Sequence, residues 1–511
     1  MCARERGWST VDEPVKRPSV NPLDKLSRLT RPGGVIRWRG LSDRQFAAVS
    51  AGLGLVLAAG VVLAAGPWDS GQRKAEQDWA AARNRTGGAD HGSGTPSGPE
   101  PAPSARPVLA PLSAAVDNAA PDARGNPDGA AADLRTTLGP LLKAPALGTV
   151  RTAVVIDTAT GERLYGQGSD TPMTPASTVK IATSVAALSA LGPGHRIATT
   201  VQASPDSRSV TLVGGGDPTL DKAALRALAA DTARALKGRG VKKVRLAYDT
   251  SRYSGPAQHP IGPNENIAPV SALMTDEGRL DSSDSGPAPR SDDPAGDTAR
   301  TFAALLDDAG IATGPDPVSG RPAGGSRPVA RHLSVPLSAL VERALTNSDN
   351  DIAEALARQT ALAAGEPADF AGGRRAVTAQ LRKLHLPLKG ADFADGSGLN
   401  RKDKVTAGLL AGLLARAADP DHPELRPVLT GLPVAGFSGT LSGRYTEKSA
   451  GTGLIRAKTG TLTGVNSLAG TVVDRQGRLL AFAFLASGTT SPSEAQSSLD
   501  ALATGLAAGA R

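Results

Sequence analysis

Apolar residues follow a strand-like pattern in two regions of the chain that are far apart in sequence. Five segments carry this pattern: residues 152–157 (TAVVID), 162–166 (ERLYG), 453–460 (GLIRAKTG), 463–473 (TGVNSLAGTVV) and 478–486 (RLLAFAFLA). The first two flank a turn closed by Gly161, and the last two flank a turn at residues 474–477, so both pairs predict β-hairpins. We therefore expect one antiparallel sheet built from two early and three late strands.

The middle of the chain has a different pattern. Residues 197–330 mix short strand-like runs with helical segments, which predicts a separate insertion. Beyond it, helical spacing recurs in residues 336–345 and 351–365, with a break at 347–350 (NSDN). The last stretch, 491–509, has a Ser/Pro/Glu start and predicts a helix that covers the sheet.

An uncharged run of 21 residues, 46–66, precedes all of these elements. At about 1.5 Å per residue it would span roughly 30 Å, the thickness of a bilayer core. Arg37, Arg39 and Arg44 lie on its N-terminal side, so the positive-inside rule places the chain before it in the cytoplasm. We predict a transmembrane helix that anchors the protein, single-pass, in the cell membrane. A signal peptide cleaved near residues 62–64 (VLA), and hence secretion, is the alternative.

The segments on either side of this run differ in composition. Residues 1–45 are basic and form the predicted cytoplasmic tail. Residues 67–132 are rich in Ala, Gly, Pro and Ser and predict a disordered linker.

Charge and residue usage exclude several functions. The net charge is +8, but residues 1–45 contribute 10 − 5 = +5 of it, which leaves +3 for the other 466 residues. Without a basic stripe interleaved with aromatic residues, we expect no nucleic-acid partner. The single cysteine is Cys2, and the six histidines are scattered without metal-ligand spacing. We therefore expect no metal site, no cofactor and no histidine-dependent serine hydrolase.

One candidate for covalent chemistry is the pair Ser177 and Lys180, in residues 173–184 (MTPASTVKIATS). A helix starting after Pro175 would place both side chains on one face, one turn apart. Serine is a weak nucleophile unless an adjacent base takes its proton, and a lysine whose pKa is lowered can be that base. An N-capping serine beside a solvated lysine is the alternative, and the spacing alone does not decide between them.

Two further motifs lie downstream. In 348-SDN-350, Ser348 could relay a proton and Asn350 could hold a substrate amide, although these are also ordinary turn and capping residues. In 458-KTG-460, Lys458 would place a cation beside a cleft, and Gly460 would let a substrate backbone approach the strand. An edge strand without function is the alternative for this second motif.

Taken in the order SxxK, SxN, KTG, the three motifs resemble the active-site set of penicillin-binding proteins and serine β-lactamases. Longer stretches are similar to the class C low-molecular-mass penicillin-binding proteins, D-alanyl-D-alanine carboxypeptidases that are often also endopeptidases: residues 175–188, 214–220, 347–359, 395–403, 436–445 and 456–470. The resemblance runs from about residue 134 to the end.

This resemblance implies an α+β fold. It implies a penicillin-binding/serine β-lactamase-like transpeptidase domain, with a five-stranded antiparallel sheet flanked by helices, formed by residues 133–196 plus 331–511. Residues 197–330 would be an inserted accessory domain.

The resemblance also implies roles for individual residues. Ser177 would attack the penultimate D-Ala carbonyl of a peptidoglycan stem peptide, Lys180 would be the base, and Ser348 would pass the proton to the departing D-Ala. Asn350 would orient the acyl chain, and Lys458 would lower the pKa of Lys180. The remaining implied substrate-binding residues are Thr459, Gly460, Thr461 and Arg401, and the backbone N–H groups of Ser177 and Thr461 would form the oxyanion hole. β-Lactam antibiotics would acylate the same serine.

One departure from the family concerns the pocket for the stem-peptide side chain. The corresponding stretch, residues 262–274, has no Tyr or Trp, and Glu265 is its one candidate for binding a diamino acid. Two alternatives stay open at this stage: a β-lactamase-like hydrolase, and a catalytically weak, tethered cell-wall-binding module.

Overall fold

The computed structural model describes residues 127–445 and 448–508. The strands in these ranges are β1 (Val150–Asp157), β2 (Arg163–Gln167), β3 (Ala198–Ala203), β4 (Ser209–Val213), β5 (Arg245–Asp249), β6 (Val318–Ser319), β7 (Arg327–Leu333), β8 (Ile455–Leu462), β9 (Val465–Val473) and β10 (Leu479–Ser487). The α-helices are α1 (Pro127–Leu141), α2 (Lys180–Leu191), α3 (Lys222–Lys237), α4 (Pro294–Asp308), α5 (Leu337–Thr346), α6 (Asn350–Ala363), α7 (Phe370–Lys383), α8 (Ala407–Ala418), α9 (Arg426–Thr430) and α10 (Pro492–Ala508).

The N-terminal predictions fall mostly outside this part of the chain. The tail (1–45), the anchor (46–66) and the linker up to residue 126 lie outside the described residues. Among the described helices, none combines the length and the hydropathy that crossing a membrane requires. The linker prediction is wrong in its last six residues, because α1 begins at Pro127. Proline is favoured at a first helical position, and Leu134 and Leu138 anchor this helix in a buried cluster.

Both ends of the described chain build the first sheet. Its strand order is β2-β1-β10-β9-β8, and every neighbouring pair is antiparallel. The prediction of one sheet from two early and three late strands is therefore confirmed. Strand β8, which carries the KTG motif, lies at one edge of the sheet.

Helices cover both faces of this sheet. Side chains of one face, including Val154, Ala481 and Ala483, pack against α2 and α5–α9. Alternate residues such as Val155 and Phe482 point to the other face and pack against α1 and α10. Because both faces are buried, the central strands are apolar almost throughout, and each fully buried aliphatic or aromatic side chain contributes about 1.5–3 kcal/mol to folding.

A second sheet lies within residues 198–333. Its order is β6-β5-β4-β3-β7, with parallel pairing among β4, β5 and β6 and antiparallel pairing of β3 with β4 and β7. Helices α3 and α4 contribute Leu225, Leu228, Phe302 and Leu306 to its hydrophobic cluster. This separate core lies inside the region for which the sequence predicted an insertion.

The insertion packs against helix α6 of the catalytic part of the chain. Residues 351–361 of this helix are all buried, including the polar Glu354, Arg358 and Gln359. Gln359 Nε2 donates to the carbonyl of Gly215 at 2.8 Å, and Arg358 donates to the carbonyl of Ser254 at 3.4 Å. The insertion therefore packs on the helix whose first residue belongs to the SDN motif.

Candidate active site

Ser177 lies in a 3-10 turn, Ala176–Val179, directly before α2. Neither this turn nor α2 has a side-chain hydrogen bond at its N-cap, so Ser177 is not a capping residue. Its side chain is half-buried and accepts a hydrogen bond from Lys180 Nζ at 3.1 Å. The pairing expected from the spacing of these two residues is present.

The backbone before Ser177 is strained and held in place. Ala176 has a φ of +50°, a left-handed conformation that costs an alanine about 1–2 kcal/mol. The carbonyl of Pro175 accepts hydrogen bonds from the hydroxyls of Ser467 at 2.7 Å and Thr178 at 2.8 Å. These contacts fasten the turn to β9, so the hydroxyl of Ser177 is presented from a fixed backbone.

Lys180 is the first residue of α2 and is fully buried. Besides Ser177 Oγ, its Nζ donates to Asn350 Oδ1 at 2.7 Å and to the Ser397 carbonyl at 2.6 Å. Burial lowers the pKa of Lys180 from 10.5 to about 8. Nearby carboxylates act in the opposite direction, and the charge of Asp395 has the largest effect among them. An amine with this pKa in hydrogen-bond reach of a serine can act as its general base.

The carboxylates near Lys180 do not all carry a charge. Burial, followed by the negative charge of Asp395, raises the pKa of Glu354 to about 7 and that of Asp403 to about 10. Burial also acts to raise the pKa of Asp395, but hydrogen bonds with His259, Asp403 and backbone N–H groups outweigh it and lower that pKa. Asp395 is therefore the member of this group whose ionised form its surroundings favour.

In the SDN motif, the side chain of Asn350 contacts Lys180, whereas that of Ser348 does not. Asn350 bridges Lys180 and the insertion, because its Nδ2 donates to the Asn266 carbonyl at 2.9 Å. Ser348 has a φ of +60°, and its hydroxyl forms no hydrogen bond with any residue that the structure describes. Asp349, between them, caps α6 by accepting from the Ile352 N–H at 2.9 Å.

Lys458 is fully buried on β8, and its Nζ donates to the Thr459 carbonyl at 2.9 Å. Burial, then the positive charge of Lys180, then that of Arg444, hold the pKa of Lys458 well below its ordinary value. Repulsion between like charges is mutual, and the carboxylates around Lys180 favour the charge on Lys180. The role that the family resemblance implied for Lys458, lowering the pKa of Lys180, stays a prediction, and the same proximity lowers the pKa of Lys458 itself.

Gly460 has a role different from the expected one. A Cβ at this position would lie 2.2 Å from Ser467 Oγ and 2.6 Å from the Pro175 carbonyl oxygen. Contacts this short do not occur in proteins, so the side chain is excluded by the turn that carries Ser177. The glycine lets that turn pack against β8, rather than opening this side of the strand to substrate.

The outer edge of β8 presents backbone N–H groups. Ala457 N–H points away from the sheet and donates to the Pro433 carbonyl at 2.9 Å. Because N–H directions alternate along a strand, the N–H groups of Thr459 and Thr461 face the same free edge. Their hydroxyls have partners already: Thr459 donates to Thr440 at 2.9 Å, and Thr461 accepts from Gln496 at 3.3 Å.

Two of the predicted residues are exposed: Arg401 lies beside the edge of β8, and Glu265 lies near the SDN motif. Arg401 donates to the Thr463 carbonyl at 2.9 Å, which holds its guanidinium two residues beyond Thr461. Glu265 is exposed and adjoins Asn266, the residue bonded to Asn350. The predicted pocket segment, 262–274, therefore reaches the active site through a backbone carbonyl.

Within the described ranges, two sets of three side chains are close enough to share a metal ion: His259, Glu354 and Asp395, and Glu277, Asp349 and Asp351. In both sets the donor atoms already serve other partners. Asp395 accepts from three backbone N–H groups, and Glu354 accepts from two. In the second set, Arg279 and Arg343 bind Glu277. These contacts make both sets hydrogen-bonded and ion-paired networks.

Several residues at this site were not predicted from the sequence. They are Asn266, His259, Glu354, Asp395 and Ser397. Two of them, Asn266 and Ser397, act through backbone carbonyls, which no residue type reveals. The stretch 395–403 (DGSGLNRKD) carries a usable signal, since it belongs to the family-like segments, but within it the resemblance implies a role only for Arg401.

Comparisons with known proteins show the family to which the chain belongs. The model of the family described as "D-Ala-D-Ala carboxypeptidase 3 (S13) family" matches residues 134–285 and 281–508. Carboxypeptidase DacB of Mycolicibacterium smegmatis is 39% identical over 389 residues, which cover 72% of this chain and 83% of that protein.

Solved structures give the same fold. Penicillin binding protein 4 (dacB) from Haemophilus influenzae matches with a TM-score of 0.60 at 23% identity, covering 72% of this chain and 98% of that chain. The same protein complexed with a β-lactam matches with a TM-score of 0.56 at 22% identity, over the same shares of the two chains. The expected penicillin-binding-protein architecture is thereby confirmed, and the chain belongs to the D-Ala-D-Ala carboxypeptidase 3 (S13) family of serine peptidases.

Proposed function

We propose that this D-Ala-D-Ala carboxypeptidase acts on peptidoglycan stem peptides through an acyl-enzyme on Ser177, with Lys180 as the base. One observation carries the proposal. A fully buried lysine, with a pKa lowered to about 8, lies 3.1 Å from the serine hydroxyl. Few arrangements other than proton abstraction use a desolvated amine in contact with a serine hydroxyl.

We propose the following course for the reaction. Ser177 Oγ bonds to the penultimate D-Ala carbonyl carbon, while its proton passes to Lys180 Nζ. The backbone N–H groups of Ser177 and Thr461 stabilise the oxyanion, each donor contributing about 3–4 kcal/mol at the transition state. The peptide C–N bond then breaks, and the leaving D-Ala nitrogen receives the proton by way of Ser348. Water attacks the ester carbonyl, which releases the shortened peptide and returns the proton to Ser177.

The edge of β8 suits the terminal carboxylate of the substrate. The Thr461 hydroxyl and the Arg401 guanidinium offer donors along it, and Thr459 offers its backbone N–H. The fully buried Lys458 lies on the same strand. Lys458 has a strongly lowered pKa in the resting site, and an arriving carboxylate favours its ammonium form. We therefore propose that its charge develops on substrate binding. Asn350 would orient the acyl chain after exchanging its bond to Asn266 for one to the substrate.

β-Lactams mimic the D-Ala-D-Ala terminus and would acylate Ser177. Among the residues that the structure describes, no carboxylate hydrogen-bonds Ser177. Of those near Lys180, Asp395, Glu354 and Asp403 bind the backbone of residues 394–400, and Asp349 caps α6. The dedicated deacylating base of a β-lactamase is thus not supported. We expect a penicilloyl-enzyme that hydrolyses slowly.

The test measures D-Ala release from a stem pentapeptide and adduct formation with benzylpenicillin, from pH 6 to pH 9.5. Neutral Lys180 is the reactive form, so both rates should rise with pH to a plateau, with a midpoint near the pKa of about 8. A cross-linked peptide dimer assayed in parallel detects endopeptidase activity, which would form the same acyl-enzyme with a different leaving amine. Rapid nitrocefin turnover would indicate a β-lactamase. A folded protein with neither adduct nor D-Ala release would leave only the cell-wall-binding module.

We also propose that residues 46–66 anchor the enzyme in the cell membrane, with the catalytic part outside. The support is the uncharged run flanked by Arg37, Arg39 and Arg44. In cell fractionation, the full-length chain should sediment with membranes, resist extraction by high salt and dissolve in detergent. Recovery of a shortened protein from the medium would instead support cleavage near residues 62–64 and secretion.

A further inference from the structure

His259 belongs to the insertion and is fully buried against the catalytic part of the chain. Its Nε2 lies 2.9 Å from Asp395 Oδ2, and its Nδ1 accepts a hydrogen bond from the Ile261 N–H at 3.2 Å. Since Nδ1 is an acceptor, the proton that joins the ring to Asp395 lies on Nε2. The ring of Phe370 packs edge-on against the imidazole, with 5.4 Å between centroids. Its partners therefore fix the orientation of the imidazole.

Asp395, which is held by His259, binds the backbone of the loop that follows it. Its Oδ1 accepts from the N–H groups of Ser397 at 3.0 Å and Gly398 at 2.6 Å, and its Oδ2 accepts from the Asn400 N–H at 2.7 Å. A carboxylate that accepts from His259 and from three backbone N–H groups defines the course of this loop. The loop in turn aims the Ser397 carbonyl at Lys180 Nζ, 2.6 Å away.

Asp395 also sets the charge next to the base. Among the carboxylates near Lys180, its negative charge has the largest effect in raising the pKa of that lysine. His259 is the leading side-chain donor that keeps Asp395 ionised against the effect of burial. The other titratable groups that face Lys180, Asp395 or their neighbours are Asp349, Glu354, Asp403, Lys458 and Arg358.

We infer that His259 is a positioning residue for acylation: through Asp395 it fixes the loop whose Ser397 carbonyl holds the Lys180 amine against Ser177. This inference rests on the proposed role of Lys180 as the base. It also gives the insertion a part in the reaction, because undocking this segment would release a constraint on the lysine.

The experiment compares His259→Phe with His259→Gln in the full-length chain. Phenylalanine keeps a ring against Phe370 but removes both nitrogens, whereas the glutamine amide can place a donor near the position of Nε2. Phe302→Leu is the matched control, since Phe302 is fully buried in the separate core of the insertion, a cluster that includes none of the residues in this chain of contacts. Each variant is assayed for benzylpenicillin acylation against pH and for melting temperature.

For His259→Phe we expect the plateau rate to fall roughly tenfold to a hundredfold, because the base is no longer held in place. With less negative charge on Asp395, the midpoint should move to lower pH by about one unit. His259→Gln should restore the midpoint and most of the plateau. Phe302→Leu should lower the melting temperature and leave the midpoint unchanged.

An unchanged or raised midpoint in His259→Phe would overturn the inference and leave a merely structural histidine. If His259→Phe does not fold, a His259→Gln protein that folds and yet loses as much activity as Asp395→Asn would overturn it equally. Wild-type acylation separates this from the proposed function: if the wild type forms no adduct, the proposed function fails first. An adduct on the wild type, with unaltered pH profiles in the variants, rejects the role of His259 alone.

Discussion

Alanine in place of Ser177 is expected to abolish both the penicilloyl adduct and D-Ala release. Without Oγ there is no atom to which the substrate carbonyl carbon can bond, and water lacks the fixed position of the serine hydroxyl. Removing a serine nucleophile costs on the order of 10⁴-fold or more in rate. Intact-mass spectrometry after incubation with benzylpenicillin measures the adduct directly, as one added penicilloyl group on the wild type and none on the variant.

The fold should survive this substitution. The hydrogen bond of the Ser177 side chain is to Lys180, which keeps Asn350 and the Ser397 carbonyl as partners. Ser184→Ala is the matched control: Ser184 is fully buried on α2, and its hydroxyl has no hydrogen-bond partner among the described residues. It should be acylated at the wild-type rate. An adduct that persists on Ser177→Ala would assign the nucleophile to a different residue.

The sequence predicted those features that depend on local pattern. The antiparallel sheet was predictable because its strands have continuous apolar runs, and Ser177 and Lys180 could be paired because their spacing places them one helical turn apart. The sequence did not reveal what surrounds the pair. Ser397 and Asn266 enter the site through carbonyl oxygens, and His259 arrives from the insertion, 136 positions before Asp395 in sequence. Only tertiary packing brings such groups together.

Lys458 and Gly460 show a second limit of sequence analysis. Their residue types predicted a cation beside the cleft and an open strand face. Burial lowers the pKa of Lys458, and the Ser177 turn occupies the space beside Gly460. The KTG motif therefore packs, at Gly460, against the turn that carries Ser177, and it also forms part of the exposed edge of β8. A motif specifies residue types, but burial decides what they do.

Methionine in place of Lys180 is expected to lower the acylation rate about 10²–10⁴-fold, the usual contribution of a general base. Methionine has a similar length and fits a buried position, but it cannot accept the serine proton. The rise of the rate with pH should disappear together with the base. The residual rate should be flat where the wild type has its midpoint near a pH of about 8.

Stability gives a second, independent readout of the same substitution. The pKa of Lys180 is about 8 in the folded protein and 10.5 ordinarily, so between these values the unfolded chain binds more protons. The wild-type free energy of unfolding should therefore gain from this group as pH rises from 8 to 10.5, by about 3 kcal/mol in all. Below pH 8 the full cost of burying the ammonium is present. Lys180→Met should lack this contribution, so its free energy of unfolding, plotted against pH, should not show the rise that the wild type shows between pH 8 and 10.5.

Lys402→Met provides the control, because Lys402 is exposed in the loop next to Arg401 and its loss removes one charge without touching the site. Both its acylation profile and its stability curve should match the wild type. If Lys180→Met kept the rise in rate with pH, the base would have to be another buried amine, and Lys458 would be the candidate. If it kept the rate but lost the stability difference, burial would explain the lowered pKa and catalysis would not require it.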